Sequence, residues 1–198
     1  VSELPPDSFH PETLEAWATW LAEHHHRSTG VWLVSWKAAG RPRVDYEEAV
    51  CEALCWGWID SVYRRLDEER SLLRFTPRKK GSVWARSNKD RIVQLEAAGR
   101  MQPAGRALIE AAKADGTWTL LDDAEAGIVP DDLTTALGAL PDATEHFRAF
   151  PPGEQRRILS WLALAKTPST RKKRIEVTAR SSQANLRFDH WNSKETNP

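Results

Sequence analysis

Cysteine is scarce: Cys51 and Cys55 are the two in 198 residues. Two thiols cannot build the disulfide framework of a small secreted domain. Their spacing is not CxxC, and no further cysteines complete a zinc site. No run approaches the ~20 consecutive apolar residues that span a bilayer. The opening VSELPPDSFH has neither a charged n-region nor an apolar h-region, so it reads as no signal peptide. Free thiols without a secretory leader predict a reducing, cytoplasmic home. Charge of one sign is also lacking: 28 Lys+Arg balance 28 Asp+Glu, and mean hydropathy is −0.57. The total therefore implies neither a strongly acidic nor a strongly basic partner, and no internal repeat is present.

Tryptophan is abundant, with ten residues. An indole combines large apolar area with a donor and stacking faces, which serves cores and binding clefts alike. The length fits one domain, or one domain with a helical extension, and needs no disulfide or metal to bury a core. A helical stripe, Leu14, Trp17, Trp20, Leu21 and His24, follows Pro11 and ends at the glycine stop Gly30. The β-branched and aromatic run from Val31 to Lys37 predicts a buried strand. Asp45 with Glu48 reads as a capping box opening a helix over 46–56, closed by Gly57. Ile59–Leu66 and Leu72–Thr76 flank the polar turn 67–70 as a β-hairpin, which joins 31–37 in a small antiparallel sheet. Further on, Ser87 reads as the cap of a helix reaching Ala98, and Pro103 opens another that stops at Gly116. Residues 117–129 read as irregular; Pro130, Pro141, Pro151 and Pro168 each introduce a helix. The expected class is α+β: a small antiparallel sheet of about three or more strands packed with helices, followed by a helical C-terminal half. Residues 1–120 form the Trp-rich α+β region and 121–180 a helical region packed on it, most simply as one compact domain, with a flexible tail over 181–198.

Charge is unevenly placed. Residues 1–63 carry ten acids and four Lys/Arg, a net of −6; residues 64–106 carry five acids and twelve Lys/Arg, a net of +7; the remainder is near balance. The hairpin and the loop after it are thus the basic part of an otherwise acidic chain.

Several blocks carry a family resemblance. They are Gly30-Val31-Trp32-Leu33 with Lys37, Tyr46-Glu47-Glu48-Ala49 leading into Ala53-Leu54-Cys55-Trp56-Gly57-Trp58-Ile59-Asp60-Ser61, and Arg74-Phe75-Thr76-Pro77-Arg78 with Trp84 and Asn88. Weaker matches follow at Val129–Leu133 and at Ala165–Arg171 with Arg174. Together, from about residue 9 to 180, the chain resembles the YdeI/OmpD-associated (bacteriocin-protection) family. The resemblance implies a soluble bacterial protein tied by family name to tolerance of bacteriocins or cationic peptides, and it supplies no reaction. The chain departs from the family at Asp122–Ile128, where many relatives have a Ser/Thr-rich stretch. If that loop binds something in the family, it is not expected to do so here.

The candidate chemistry divides into five sets. Cys55 with Asp60, Lys37 and Glu48 could form a thiol site. Cys55 lies at the C-terminal end of its helix, where the dipole disfavours a thiolate, and no histidine is nearby in sequence, so both cysteines read as small buried hydrophobes. Asp60, between tryptophans and a strand, could be a general base or cation-binding group, or could accept turn donors or pair with Arg74. The segment from Arg74 through Thr76, Arg78, Trp84 and Asn88 joins arginines, an indole and the helix start at Ser87, which suits an anionic ligand or a solvated loop. Lys166 and Arg171 are a second basic set, completing the same site or simply lying at the surface. His24-His25-His26 resembles a metal-binding tract by composition, yet adjacent helical residues point apart, so no metal is expected.

The function these residues predict is non-catalytic binding of a small anionic or aromatic ligand in a Trp/Arg-lined cleft. The expected ligand-binding residues are Trp32, Lys37, Trp56, Trp58, Asp60, Arg74, Thr76, Arg78, Trp84, Asn88, Lys166 and Arg171, with no cofactor. Capture of a cationic peptide by the acidic, Trp-rich residues 1–63 is a second route to tolerance. A nucleic-acid binder using the basic hairpin 64–106 is an alternative, against which stand the zero net charge and the lack of RRM, KH or zinc patterns. An enzyme of unassigned reaction using Asp60 and Lys37 is another, although no nucleophile–base pair is legible. Nothing in the sequence implies an oligomeric state.

Overall fold

The computed structural model describes residues 3–38 and 40–188. The chain divides into two compact units, Val1–Trp118 and Thr119–Pro198.

The first unit opens with a two-residue strand, β1 (Ser8–Phe9), and helix α1 (Leu14–His24). Pro11 stands outside the helix, which starts at Thr13: its hydroxyl accepts from the amide of Ala16 at 3.2 Å. Strand β2 (Val31–Trp36), helix α2 (Tyr46–Cys55), strands β3 (Trp58–Arg65) and β4 (Arg70–Pro77), and helices α3 (Arg86–Ala97) and α4 (Pro103–Asp115) follow. The sheet order is β1-β2-β4-β3. β2 and β3 pair antiparallel with β4, but β1 pairs parallel with β2, so the sheet is mixed and not the antiparallel one expected from sequence. Two residues are too few for a periodic signal, which is why β1 is not legible. The hairpin turn is built on Asp67, whose carboxylate accepts from the amides of Glu69 and Arg70 and from the Arg70 guanidinium at 2.7–3.0 Å.

Two expected caps are not made. Asp45 precedes α2 with extended backbone but gives no side-chain cap bond; its carboxylate lies 3.3 Å from Arg43. α3 begins one residue before Ser87, with Ala85 at the cap position. Gly57 does end the turn after α2, at φ +78°.

Strand alternation sorts the sheet into two faces. Val31, Leu33, Leu73 and Phe75 face the helices and share a core with Trp17, Leu21, Val50, Leu54, Trp58 and Trp84. Trp17 donates to the carbonyl of Ala49 at 3.1 Å and Trp58 to that of His25 at 3.0 Å, which satisfies two buried indole N–H groups. Trp32, Val34 and Trp36 of β2 and Leu72, Arg74 and Thr76 of β4 fall on the other face.

The second unit contains, among the described residues, five helices: α5 (Asp122–Glu125), α6 (Asp131–Gly138), α7 (Ala143–Ala149), α8 (Pro152–Ala163) and α9 (Pro168–Gln183). The turn at α5 lies within the stretch expected to be irregular. Leu133, Leu137, Phe147, Ile158, Leu162 and Ile175 form a separate core. Thr167 caps α9, accepting from the amide of Thr170 at 3.1 Å. The fold is thus α+β with a helical C-terminal half. Of the tail expected from residue 181, Ser181–Gln183 are the last turn of α9, and residues 189–198 lie outside the described residues.

Candidate functional site

The described tryptophans are all buried or half-buried; Trp191 lies outside the described residues. Trp58 and Trp84, expected to line a ligand cleft, are 0% and 2% exposed. Both are core. Trp84 is roofed by Arg78, whose guanidinium carbon stands 3.6 Å from the indole centroid. Arg78 donates to the carbonyl of Val83 at 3.2 Å, and its buried Nε has no hydrogen-bond partner among the described residues. Burial pushes this guanidinium down to about 10, with the nearby Asp60 carboxylate opposing the shift. It remains cationic at neutral pH.

Asp60 does not pair with Arg74. Its register partner is Phe75, and its Oδ2 accepts from the Tyr46 hydroxyl at 2.9 Å. Burial first, and then the Asp60 hydrogen bond, raise the Tyr46 phenol above its ordinary value. Beside it, Arg91 grips Glu47 with two bonds of 2.7 Å and donates to the Asn88 amide oxygen at 2.9 Å. The grip of Arg91 holds Glu47 below the usual carboxylate range. Asn88 thus serves a helix-to-helix clasp. Sequence reasoning does not single out Tyr46 or Arg91 as site residues, although Tyr46 opens one of the family-like blocks; they organise this cluster through partners 14 and 44 positions away.

Lys37 donates to the carbonyls of Asp67 and Glu68 at 2.6 and 3.3 Å, bracing the hairpin turn. Lys37 and Asp60, the candidates for an enzymatic pair, therefore stand in different hydrogen-bond networks. Cys55 is 1% exposed, and its thiol lies 3.3 Å from the carbonyl of Cys51. Burial pushes it up to about 12, and Cys51 is raised as well. His24 stacks on Trp20 with centroids 4.6 Å apart and His25 packs at a tilt against Trp56 at 4.7 Å, so their rings are committed to different indoles.

A groove of about 430 Å³ opens on the helical side of the sheet. Leu33, Leu73 and Ala49 lie on its apolar part, Trp36, Tyr46 and Tyr63 supply aromatic rings, Lys37 and Arg43 supply cations, and Asp45, beside Arg43, supplies a carboxylate. Of the expected ligand-binding residues, Lys37 lines it directly, and Asp60 is linked to it through Tyr46. On the opposite face, Arg64 and Arg74 lie 4.9 and 5.3 Å from the Trp32 ring. Thr76 sits further along β4, where its methyl crowds Gly30: a Cβ on that glycine would meet it at 2.7 Å and the carbonyl of Phe75 at 2.3 Å. Close backbone approach explains Gly30, which the sequence presents as a helix stop.

Lys166 and Arg171 belong to the second unit. Lys166 lies between α8 and α9 and is exposed. Arg171 grips Asp132 at 2.6 and 3.0 Å, and this pair holds the Asp132 carboxyl below its usual range. A second concavity of about 270 Å³ lies beside it, lined mostly by apolar groups such as Leu120, Ile128 and Leu159.

Comparison with curated proteins and with solved structures returns no match. Two family models match. That of the bacteriocin-protection, YdeI or OmpD-associated family covers residues 126–185, so the chain is similar to it over the second unit. The blocks that carry this resemblance most specifically, residues 53–61 and 74–78, lie instead within the other model, which covers residues 9–108. That model spans half of the 198 residues, and the chain belongs to its family, described as a domain of unknown function, DUF8412.

Proposed function

We propose that this is a non-catalytic binding protein that takes a small anionic or aromatic ligand in the groove between α2 and the sheet. The carrying observation is the groove itself. Its volume of about 430 Å³ falls in the range of small-molecule sites. Its make-up, an apolar floor with two phenols and with two cations, Lys37 and Arg43, against the one lining carboxylate of Asp45, suits a planar ring bearing a carboxylate or phosphate. Tyr63 is 65% exposed and free to fold over such a ring. The similarity of residues 126–185 to a bacteriocin-protection family supports a tolerance role, which we place in the cytoplasm on account of the free thiols.

Thermal melting with aromatic carboxylates and sugar phosphates tests the reading. A ligand bound only to the folded state at a hundredfold excess over its Kd adds about 2.7 kcal/mol. Tyr63→Ala with Arg43→Ala should abolish that shift while leaving the unliganded melt in place. If no probe in either class shifts the first unit's transition, or the double variant responds like the parent, the reading is wrong.

A further inference from the structure

The outer face of the sheet carries a second feature, which shares only Trp36 with the lining of the groove. Along β2, Trp32 and Trp36 point to the same side, four positions and roughly 13 Å apart. Each is flanked by guanidinium groups. Arg64 and Arg74 lie over Trp32; Arg41 and Arg70 lie over Trp36 at 4.6 and 5.7 Å. The two stacks differ in charge. Arg70 is held by Asp67, and Arg41 stands 3.7 Å from Glu69. Arg64 and Arg74 have no carboxylate partner among the described residues, and Arg64 is exposed.

A guanidinium stacked on an indole uses its π face and keeps its in-plane N–H donors for an anion, ideally a phosphate. One end of this face therefore offers uncompensated donors, and the other offers planar surface whose charge is already balanced. We infer that the outer face of β2, β4 and β3 binds a single-stranded nucleic acid, with phosphates held at the Trp32–Arg64–Arg74 stack and a base against the Trp36–Arg41–Arg70 stack. An acidic peptide would match the charge but would leave the second stack unused; a single strand uses both. The zero net charge is no obstacle, because the electrostatic footprint is local.

The test is fluorescence anisotropy of the full chain with a 5′-fluorescein-labelled twelve-residue oligothymidylate across a salt series. Binding is expected, with a logarithmic salt slope. Arg64→Ala with Arg74→Ala should weaken it about tenfold or more. The slope should become shallower by about 1.4, at about 0.7 for each phosphate no longer neutralised. Arg64→Lys with Arg74→Lys, which keeps the charge, should retain the slope while losing affinity. Trp36→Ala should weaken binding about fivefold or more with the slope unchanged. The groove variants Tyr63→Ala and Arg43→Ala should bind the oligonucleotide like the parent, which separates this site from the one proposed above. Absence of binding, indifference to the Arg64/Arg74 alanine variant, or equal competition by polyglutamate would overturn the inference, the last in favour of an acidic protein partner.

Discussion

At Cys55, position in the fold decides reactivity. The thiol ends α2, where the helix dipole disfavours negative charge, and the core closes over it. Its ionisation is pushed from an ordinary value of 9.0 up to about 12, chiefly by burial. In the unfolded chain the same thiol ionises near its ordinary value. Unfolding therefore releases a proton as pH rises above about 9, and stability should fall with pH from there toward 12. We expect the native protein to resist a thiol-specific reagent such as Ellman's at about pH 8, below the ordinary thiol range, with both cysteines reacting in denaturant. Rapid native labelling of Cys55 would contradict this. Arg78 is a contrasting case, a guanidinium kept charged under desolvation by an indole face, one carbonyl and the field of Asp60. In sequence it is one of a run of three cations, Arg78-Lys79-Lys80; in the fold it is half-buried while the other two are exposed.

Helices α2 and α4 approach closely at Gly105. A Cβ there would stand 2.3 Å from the carbonyl oxygen of Cys55 and 2.9 Å from that of Leu54. Alanine is favoured over glycine inside a helix by about 1 kcal/mol. Overpacking against fixed backbone costs about 1–3 kcal/mol, so the clash should win. Gly105→Ala is expected to lower the urea midpoint of the first unit, whereas Gly138→Ala, with nothing within 4 Å, should not lower that of the second. A stabilised Gly105→Ala protein would mean that the two helices separate readily. Elements like these are largely legible in the sequence. The proline-led helices, the glycine stops and the hairpin follow from local chemistry, which is why α2, β3, β4 and α4 stand close to where periodicity and punctuation put them. The caps at Asp45 and Ser87 are not, because a side chain's choice of partner depends on neighbours that local sequence does not specify. Asp45 lies by Arg43 instead of capping α2.

Among the described residues, two hydrophobic cores coexist, one in each compact unit, and the two matching family models divide the chain similarly. Stability should accordingly respond unit by unit. The Asp132–Arg171 pair joins α6 to α9 with side chains 45% and 33% exposed, so solvent screening limits it to about 0.2–1 kcal/mol. Because Arg171 depresses the Asp132 carboxyl, the contribution is present above the ordinary value of 3.8 and is lost as pH falls below it. Asp132→Asn should lower the protection of α6 and α9 against hydrogen exchange at about neutral pH and flatten the loss seen on acidification. Protection in β2 and β4 should be unchanged. Equal loss in both units would show that they unfold together.

What the sequence determined by itself was the grammar of the elements and the local charge bias. Glycine, proline and period-two or period-3.6 apolar spacing act within a few residues, and they make the class α+β. What only the tertiary structure decided was which conspicuous residues were taken into the core and which were left for chemistry. Trp58 and Trp84 look like ligand platforms in sequence and are packing in the fold, while Trp32 meets Arg74 across the β2–β4 register and Tyr46 meets Asp60 from a neighbouring element. The physical reason is that an indole or an arginine is equally suited to burial, stacking or binding. Its role is set by the partners that long-range pairing brings to it.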